Sequence, residues 1–258
     1  MKYMFLLMCI AFFRLSLADT IKENRSENDV AVMALGIDTS FGYFASTEAL
    51  FNLNELSALS MSVTFYDKPT LAGLKVAGDR VVMGTLPTEF NFGYARKFLD
   101  KALSIYTGVG FFFGDFFSSG AAGRNQLFDG VLARIKVRCQ YGFYECGGEV
   151  VYDAPARPLD GFPHRTIWIF RLSSGVKFTP RFGAGVAAEK TTLSTESSGL
   201  TIVGDINQWY GLYFRYSLPN GILFYLAGGA DVSDCARGQN NGSPGDFYKA
   251  SVGVPFLF

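Results

Sequence analysis

The sequence predicts an all-β fold: a single antiparallel transmembrane β-barrel of about 12 strands, with 10 or 8 as the alternatives. Three observations carry this. Apolar and polar residues alternate with period two in segment after segment, which puts one set on each face of an extended strand. The connections between those segments alternate in length, as they do in barrels with short turns at one end and longer loops at the other. Apolar residues make up 49% of the 258-residue chain and 26 residues are Phe, a content that an outward lipid-facing surface with aromatic bands would use. After the N-terminus no window approaches about 18 uninterrupted apolar residues, so no helical span is expected.

Residues 1–18 read as a secretory signal peptide. Lys2 gives a basic start, Met4 to Phe13 an apolar run, and Ser16-Leu17-Ala18 small residues before Asp19. The run is about half the roughly 20 residues that a helical anchor needs. Cys9 does not make a lipoprotein box, because Met8 is bulky where a small residue belongs and the apolar run continues past it. The barrel domain is then residues 19–258.

Within it the clearest alternation is Leu59 to Phe65, where Ser60, Ser62 and Thr64 interleave with four apolar residues. Leu103 to Phe113 sets Leu103, Ile105, Val109, Phe111 and Phe113 against Ser104, Gly108 and Gly110. Val131 to Gln140 sets Val131, Ala133, Ile135, Val137 and Cys139 against Arg134, Lys136, Arg138 and Gln140. Val176 to Val186 opposes Lys177, Thr179, Arg181, Gly183 and Gly185, and Tyr210 to Leu218 opposes Gly211, Tyr213, Arg215 and Ser217. Weaker strands are expected at roughly 30–45, 72–85, 89–98, 144–153, 164–173 and 221–230.

Counted back from the C-terminus, the expected joins are Asp231–Asp246 long, Pro219–Gly221 short, Ala188–Asn207 long and Ser173–Gly175 short. Ala154–Pro163 is medium to long, Tyr141–Glu145 short, Gly114–Gly130 long and Leu99–Lys101 short. The alternation falters at Leu86–Thr88, and Asp67–Thr70 is short again. A soluble β-sandwich would also alternate along its strands, but nothing in it requires this ordering of join lengths.

The last strand carries a resemblance. Tyr248, Ala250, Val252, Val254, Phe256 and Phe258 share one face, with Lys249, Ser251, Gly253 and Pro255 on the other. An alternating strand that ends on Phe resembles the closing strand of Gram-negative outer-membrane β-barrels, both porin-like and surface-antigen-like. The resemblance implies outer-membrane localisation, outer-membrane lipid around the barrel, and recognition of Tyr248, Val252, Val254, Phe256 and Phe258 by the barrel-assembly machinery. It also implies that apolar residues face lipid and polar residues the lumen.

On that basis Arg134, Lys136, Arg138, Lys177, Arg181, Arg215 and Lys249 face inward, with Arg171 beside them. Acidic counterparts are few, chiefly Glu149 and Asp79. Two readings stand. A ring of cations would bias a water-filled pore towards anions; alternatively the cations pair with carboxylates and fill the interior, as in small barrels. Arg96 shares a face with Phe90, Phe92 and Tyr94 and is expected to snorkel at the membrane boundary.

Cys139 and Cys146 are close enough in sequence to bridge across a tight turn in an oxidising compartment, and free thiols are the open alternative. Cys235 is left over. His164 is the chain's one histidine, so no zinc site is expected. It has no neighbouring Ser and reads as a surface residue, while Asp231 and Asp234 read as turn residues. No cofactor is expected. Losing Lys2 and Arg14 leaves 21 basic against 23 acidic side chains, which excludes the basic excess of a nucleic-acid binder. The expected function is a porin-like diffusion channel for small solutes or ions. The alternatives are a surface antigen or adhesin displaying loops such as Ala188–Asn207 and, behind both, an outer-membrane lipid-modifying enzyme.

Overall fold

A computed structural model of the chain describes residues 29–39, 42–66, 88–114, 126–156, 164–197, 200–233 and 243–257. Twelve strands form a closed antiparallel barrel in which each strand pairs with its sequence neighbours and the first pairs with the last. They are β1 (Val30–Asp38), β2 (Gly42–Asn54), β3 (Ser57–Tyr66), β4 (Thr88–Phe98), β5 (Leu103–Gly114) and β6 (Gln126–Tyr141). Next come β7 (Tyr144–Pro155), β8 (His164–Lys177), β9 (Phe182–Ser197), β10 (Leu200–Ser217), β11 (Leu223–Asp231) and β12 (Gly245–Leu257). Closure leaves no unpaired strand edge, so the wall satisfies its own backbone groups.

Alternation sorts the side chains as the sequence implies. On β6, Val131, Ile135 and Val137 are exposed outside, while Leu132 is buried and Arg134 and Lys136 are half-buried inside. The inside is packed. Phe112, Leu132, Val151, Ile167, Ile169 and Leu193 form one inward apolar cluster, and Ala187, Trp209, Tyr213, Ala227 and Phe247 form another.

One end of the barrel carries tight connections at 55–56, 99–102, 142–143, 178–181 and 218–222. At the other end the connections are longer, except for those at 39–41 and 198–199. The β4–β5 turn holds three consecutive residues in the left-handed region, Leu99, Asp100 and Lys101, at φ 50°, 52° and 71°.

Several expected boundaries move. The segment 30–45 is two strands, because β1 ends at Asp38 and β2 begins at Gly42, and β2 runs on to Asn54. Val176–Val186 is not one strand: β8 ends at Lys177 and β9 begins at Phe182. The short turn is therefore at 178–181, and Ser173–Gly175 lies inside β8. Thr179 makes that turn, since its hydroxyl accepts from the Phe182 backbone N–H at 2.9 Å. Ala188–Asn207 is not a long loop but the paired upper parts of β9 and β10. The expected strand at 72–85 lies outside the described residues, and β3 pairs directly with β4.

The β9–β10 pair explains why its sequence resembles a loop. About 9–11 residues of tilted strand cross a bilayer, and these strands have 16 and 18. Their outward residues change from Val186, Leu212 and Phe214 to Lys190, Thr192 and Asp205. Lys190 Nζ lies 2.9 Å from Asp205 Oδ2, and the Thr192 hydroxyl donates to Asp205 Oδ1 at 3.0 Å. The polar part extends the wall past the apolar band.

Candidate functional site

The lumen carries the polar chemistry of the molecule, and glycines shape its wall. Gly93 on β4 and Gly108 on β5 lie beneath the Tyr106 ring, which a Cβ at either position would overlap. Lys136 Nζ sits 5.3 Å from the centroid of that ring.

Around this wall runs a chain of alternating charges. Glu89 on β4 accepts from the Tyr66 hydroxyl at 3.2 Å, from the Asn91 amide, and from Arg134 Nη2 at 2.6 Å. Arg134 Nε lies 3.2 Å from Glu149 Oε1, and Lys136 Nζ lies 3.7 Å from the same oxygen. Arg171 Nη1 donates to Glu149 Oε2 at 2.8 Å, and its Nε donates to Glu189 Oε2 at 2.7 Å. The Asn207 amide closes the series on Glu189 Oε1 at 3.2 Å. Two further pairs stand apart. Arg215 binds Glu145, which also accepts from the Tyr213 hydroxyl at 2.8 Å, and Lys249 Nζ lies 3.0 Å from Asp38 Oδ2.

This corrects the expectation of a lumen short of acids. Arg134, Lys136, Arg171, Arg215 and Lys249 face inward as expected, but each is paired with a carboxylate. Glu89, Glu145, Glu189 and Asp38 were the unrecognised partners. Glu89 and Glu145 could have been found by carrying the inward parity along 89–98 and 144–153. Glu189 sat in the supposed loop, and Asp38 was hidden by the misplaced β1–β2 boundary. Asp79 lies outside the described residues.

The pairs share an asymmetry. Arg171 is 28% exposed against 2% for Glu189, Lys249 23% against 1% for Asp38, and Arg215 30% against 13% for Glu145. Lys136 is likewise more exposed than Glu149; only the deeply set Arg134 is less exposed than that carboxylate. In these pairs, Arg134–Glu149 excepted, the carboxylate lies against the wall and the cation faces the interior space; Glu48 of β2 is a half-buried inward carboxylate outside them, accepting from the Ser60 hydroxyl at 3.1 Å.

The remaining expected residues fall as follows. Arg138 faces inward near the short-turn end of β6, and Lys177 ends β8 on its inward face; neither forms an ion pair among the described residues. Arg181 is a turn residue, not part of the strand wall. The sequence reading passed over Lys97, which shares the inward parity of Glu89 and Asn91 on β4. Cys139 and Cys146 face each other across β6 and β7 and are joined by a disulfide, with 5.1 Å between Cα atoms.

On β12, Tyr248 and Val252 are exposed on the outer face and Val254 and Phe256 are half-buried there; Phe258 lies outside the described residues. Arg96 is exposed on the outer face, its guanidinium 5.5 Å from the Phe98 ring centroid. His164 opens β8 in register with Glu196, and Asp231 ends β11, accepting from the Gln208 and Ser233 backbone N–H groups. Asp234 and Cys235 lie outside the described residues. Among the described residues no group of three or more His, Cys, Asp or Glu is placed to hold a metal ion.

Known structures share this architecture. The COG4313 outer membrane channel from Pseudomonas putida F1 superposes with a TM-score of 0.56 at 7% identity, over 93% of this chain and 98% of that one. A NanC porin gives 0.50 at 11% identity, over 88% of this chain and 99% of that one. At these identities the likeness is one of fold: the chain has the outer-membrane β-barrel fold. No protein of curated function matches it. Residues 1–256 match the family of unknown function DUF6733, and the chain belongs to that family.

Proposed function

We propose that the protein is a porin-like diffusion channel of a Gram-negative outer membrane whose lumen favours small anions. The observation that carries this is the exposure asymmetry of the lumen pairs. A solute passing Arg171, Lys136, Arg215 and Lys249 meets guanidinium and ammonium groups, while the balancing carboxylates are set behind them. At close range the nearer charge dominates the interaction. The resemblance in fold to an outer-membrane channel and a porin supports the same reading.

Because most of these cations are paired, the preference is modest and sensitive to salt. In planar bilayers under a salt gradient, the reversal potential should report anion preference at low ionic strength that fades as the Debye length shortens to about 10 Å near 0.1 M. The two inward apolar clusters favour a second reading, a closed barrel serving as an anchor for surface segments. A purified, correctly folded barrel that shows no conductance would remove the channel and leave the anchor as the better account.

A further inference from the structure

Every strand pair but one joins sequence neighbours, and where the connection is tight the turn helps to fix the register. The exception is β1 with β12, the pair that closes the barrel, which no turn connects. Its register has to come from the side chains that meet across it.

The outer face of this seam does not select a register. Ala31–Phe256, Met33–Val254, Leu35–Val252 and Ile37–Ala250 are apolar throughout. A slip of two residues keeps every side chain on its own face and replaces one apolar pair with another. Inside, Ala34–Gly253 and Gly36–Ser251 are small residues that could pass one another. Backbone hydrogen bonds repeat with the same two-residue period, so Pro255, which has no N–H, occupies the same kind of pair after such a slip. The Thr39 hydroxyl donates across the seam to the Tyr248 carbonyl at 3.4 Å, but it is exposed and a carbonyl two residues along would serve as well.

Asp38 and Lys249 are different. They are register partners, Nζ lies 3.0 Å from Oδ2, and the carboxylate side chain is 1% exposed. The same ammonium lies 5.7 Å from the centroid of the Phe44 ring of β2, which reaches over Gly36, where a Cβ would overlap it. A slip of two residues sets Asp38 opposite Phe247 or Ser251 and carries the ammonium about 7 Å along the strand. A buried carboxylate then loses this cation, which makes both slipped registers unfavourable. The pair β7–β8, joined by 156–163 rather than a tight turn, carries the same feature: Glu149 and Arg171 are register partners and lie 2.8 Å apart.

We propose that the Asp38–Lys249 pair is the register key of barrel closure. It selects one closed barrel among those of equal strand number that differ by two residues in the stagger of the closing pair. For a given strand number, stagger is linked to strand tilt and barrel size, so the pair also governs the width of the lumen. The inference goes beyond the channel reading and holds whether or not the barrel conducts.

The test is cross-linking at the seam of the full chain, with Cys139, Cys146 and Cys235 replaced by Ser. Leu35→Cys is combined in turn with Val252→Cys, which reports the native register, and with Ala250→Cys or Val254→Cys, which report the two slipped ones. All these positions lie on the outer face, away from the ion pair. Folded barrels are oxidised in detergent, and the cross-linked fraction is read on a gel after denaturation. With Asp38 and Lys249 in place, Leu35–Val252 should be the main product. Asp38→Asn with Lys249→Met should raise the ratio of slipped to native product about tenfold. Exchanging the charges, Asp38→Lys with Lys249→Asp, should restore the native ratio. Moving the cation by two residues, Lys249→Ser with Ser251→Lys, should make Leu35–Val254 the main product.

A pair that only stabilises the barrel behaves otherwise: the variants unfold at lower urea concentration, yet their folded fraction still cross-links at Leu35–Val252. That result overturns the inference, as does a moved lysine that leaves the main product unchanged. If the neutral double variant does not fold, Asp38→Asn alone, which keeps the side-chain shape, is read in its place. The exchanged and moved variants each retain one ion pair at the seam, so failure of both to fold would also overturn it.

Discussion

Arg134 of β6 reaches across β5 to Glu89 of β4, with 2.6 Å between Nη2 and Oε1. The contact skips a strand. It can form because β5 presents Gly108 and Gly110 towards the lumen at this height, where a larger residue would stand in the way.

Both partners are buried, with side-chain exposures of 10% and 5%, so the pair should show the large penalty of a broken buried ion pair. Arg134→Ala and Glu89→Ala are each expected to destabilise the barrel by about 3–5 kcal/mol, because each strands the opposite charge. The double variant should lose clearly less than the sum. A double-mutant cycle from urea unfolding in detergent checks this, and strictly additive losses would mean that the two side chains do not interact.

The outer face makes the complementary prediction. Ile135 lies between Arg134 and Lys136 in sequence, yet it points outward and is 53% exposed. Replacing it with Arg should cost about 2–4 kcal/mol in a bilayer, the penalty for a cation near the midplane. The same change at Thr192, in register with Asp205 on the polar part of the wall, should cost close to nothing. Refolding into lipid vesicles measures both; equal tolerance at the two sites would place Ile135 outside the membrane.

The contrast between Ile135 and Ala188–Asn207 shows what the sequence revealed. Period-two alternation fixes which face a residue occupies once its strand is recognised, so the orientation of β6 and the inward set Arg134, Lys136, Arg215 and Lys249 were legible. Strand recognition depended on the outer face being apolar. Above the membrane band that condition lapses: Lys190, Thr192, Ser194 and Asp205 face water, and a strand polar on that face resembles a loop. The turn at 178–181 was missed for the converse reason. Phe178 opens it and Phe182 follows it, and their rings stack with centroids 5.7 Å apart, so apolar residues stand where turn chemistry usually marks a break. The paired carboxylates escaped because ion pairing depends on register between strands, which one strand's pattern does not contain.

The Cys139–Cys146 disulfide bridges neighbouring strands across a seven-residue separation, and a loop that short constrains the unfolded chain only moderately. Replacing both cysteines with Ser should lower stability by about 2 kcal/mol on the chain-entropy scale. Reducing the unfolded wild type before refolding should produce the same loss and have no effect on the double variant. A reduced wild type with unchanged stability would show that the bridge does not constrain the unfolded state.

The tight turns allow a paired test of backbone strain. Gly142 sits at φ 58°, and a Cβ there would meet nothing within 4 Å. Gly142→Ala therefore introduces no clash, and any loss comes from forcing an L-residue into the left-handed region, a cost of about 1 kcal/mol. Leu99 is the mirror case: a non-glycine residue at φ 50° with its side chain 74% exposed. Leu99→Gly should relieve a similar strain but lose some of it to the greater freedom of glycine in the unfolded chain, for a net gain of about 0.5 kcal/mol. Urea midpoints in detergent, where the exposed Leu99 side chain is solvated in both states, should move in opposite directions for the two variants. A shift of the same sign in both would mean that side-chain contacts, not backbone geometry, control these turns.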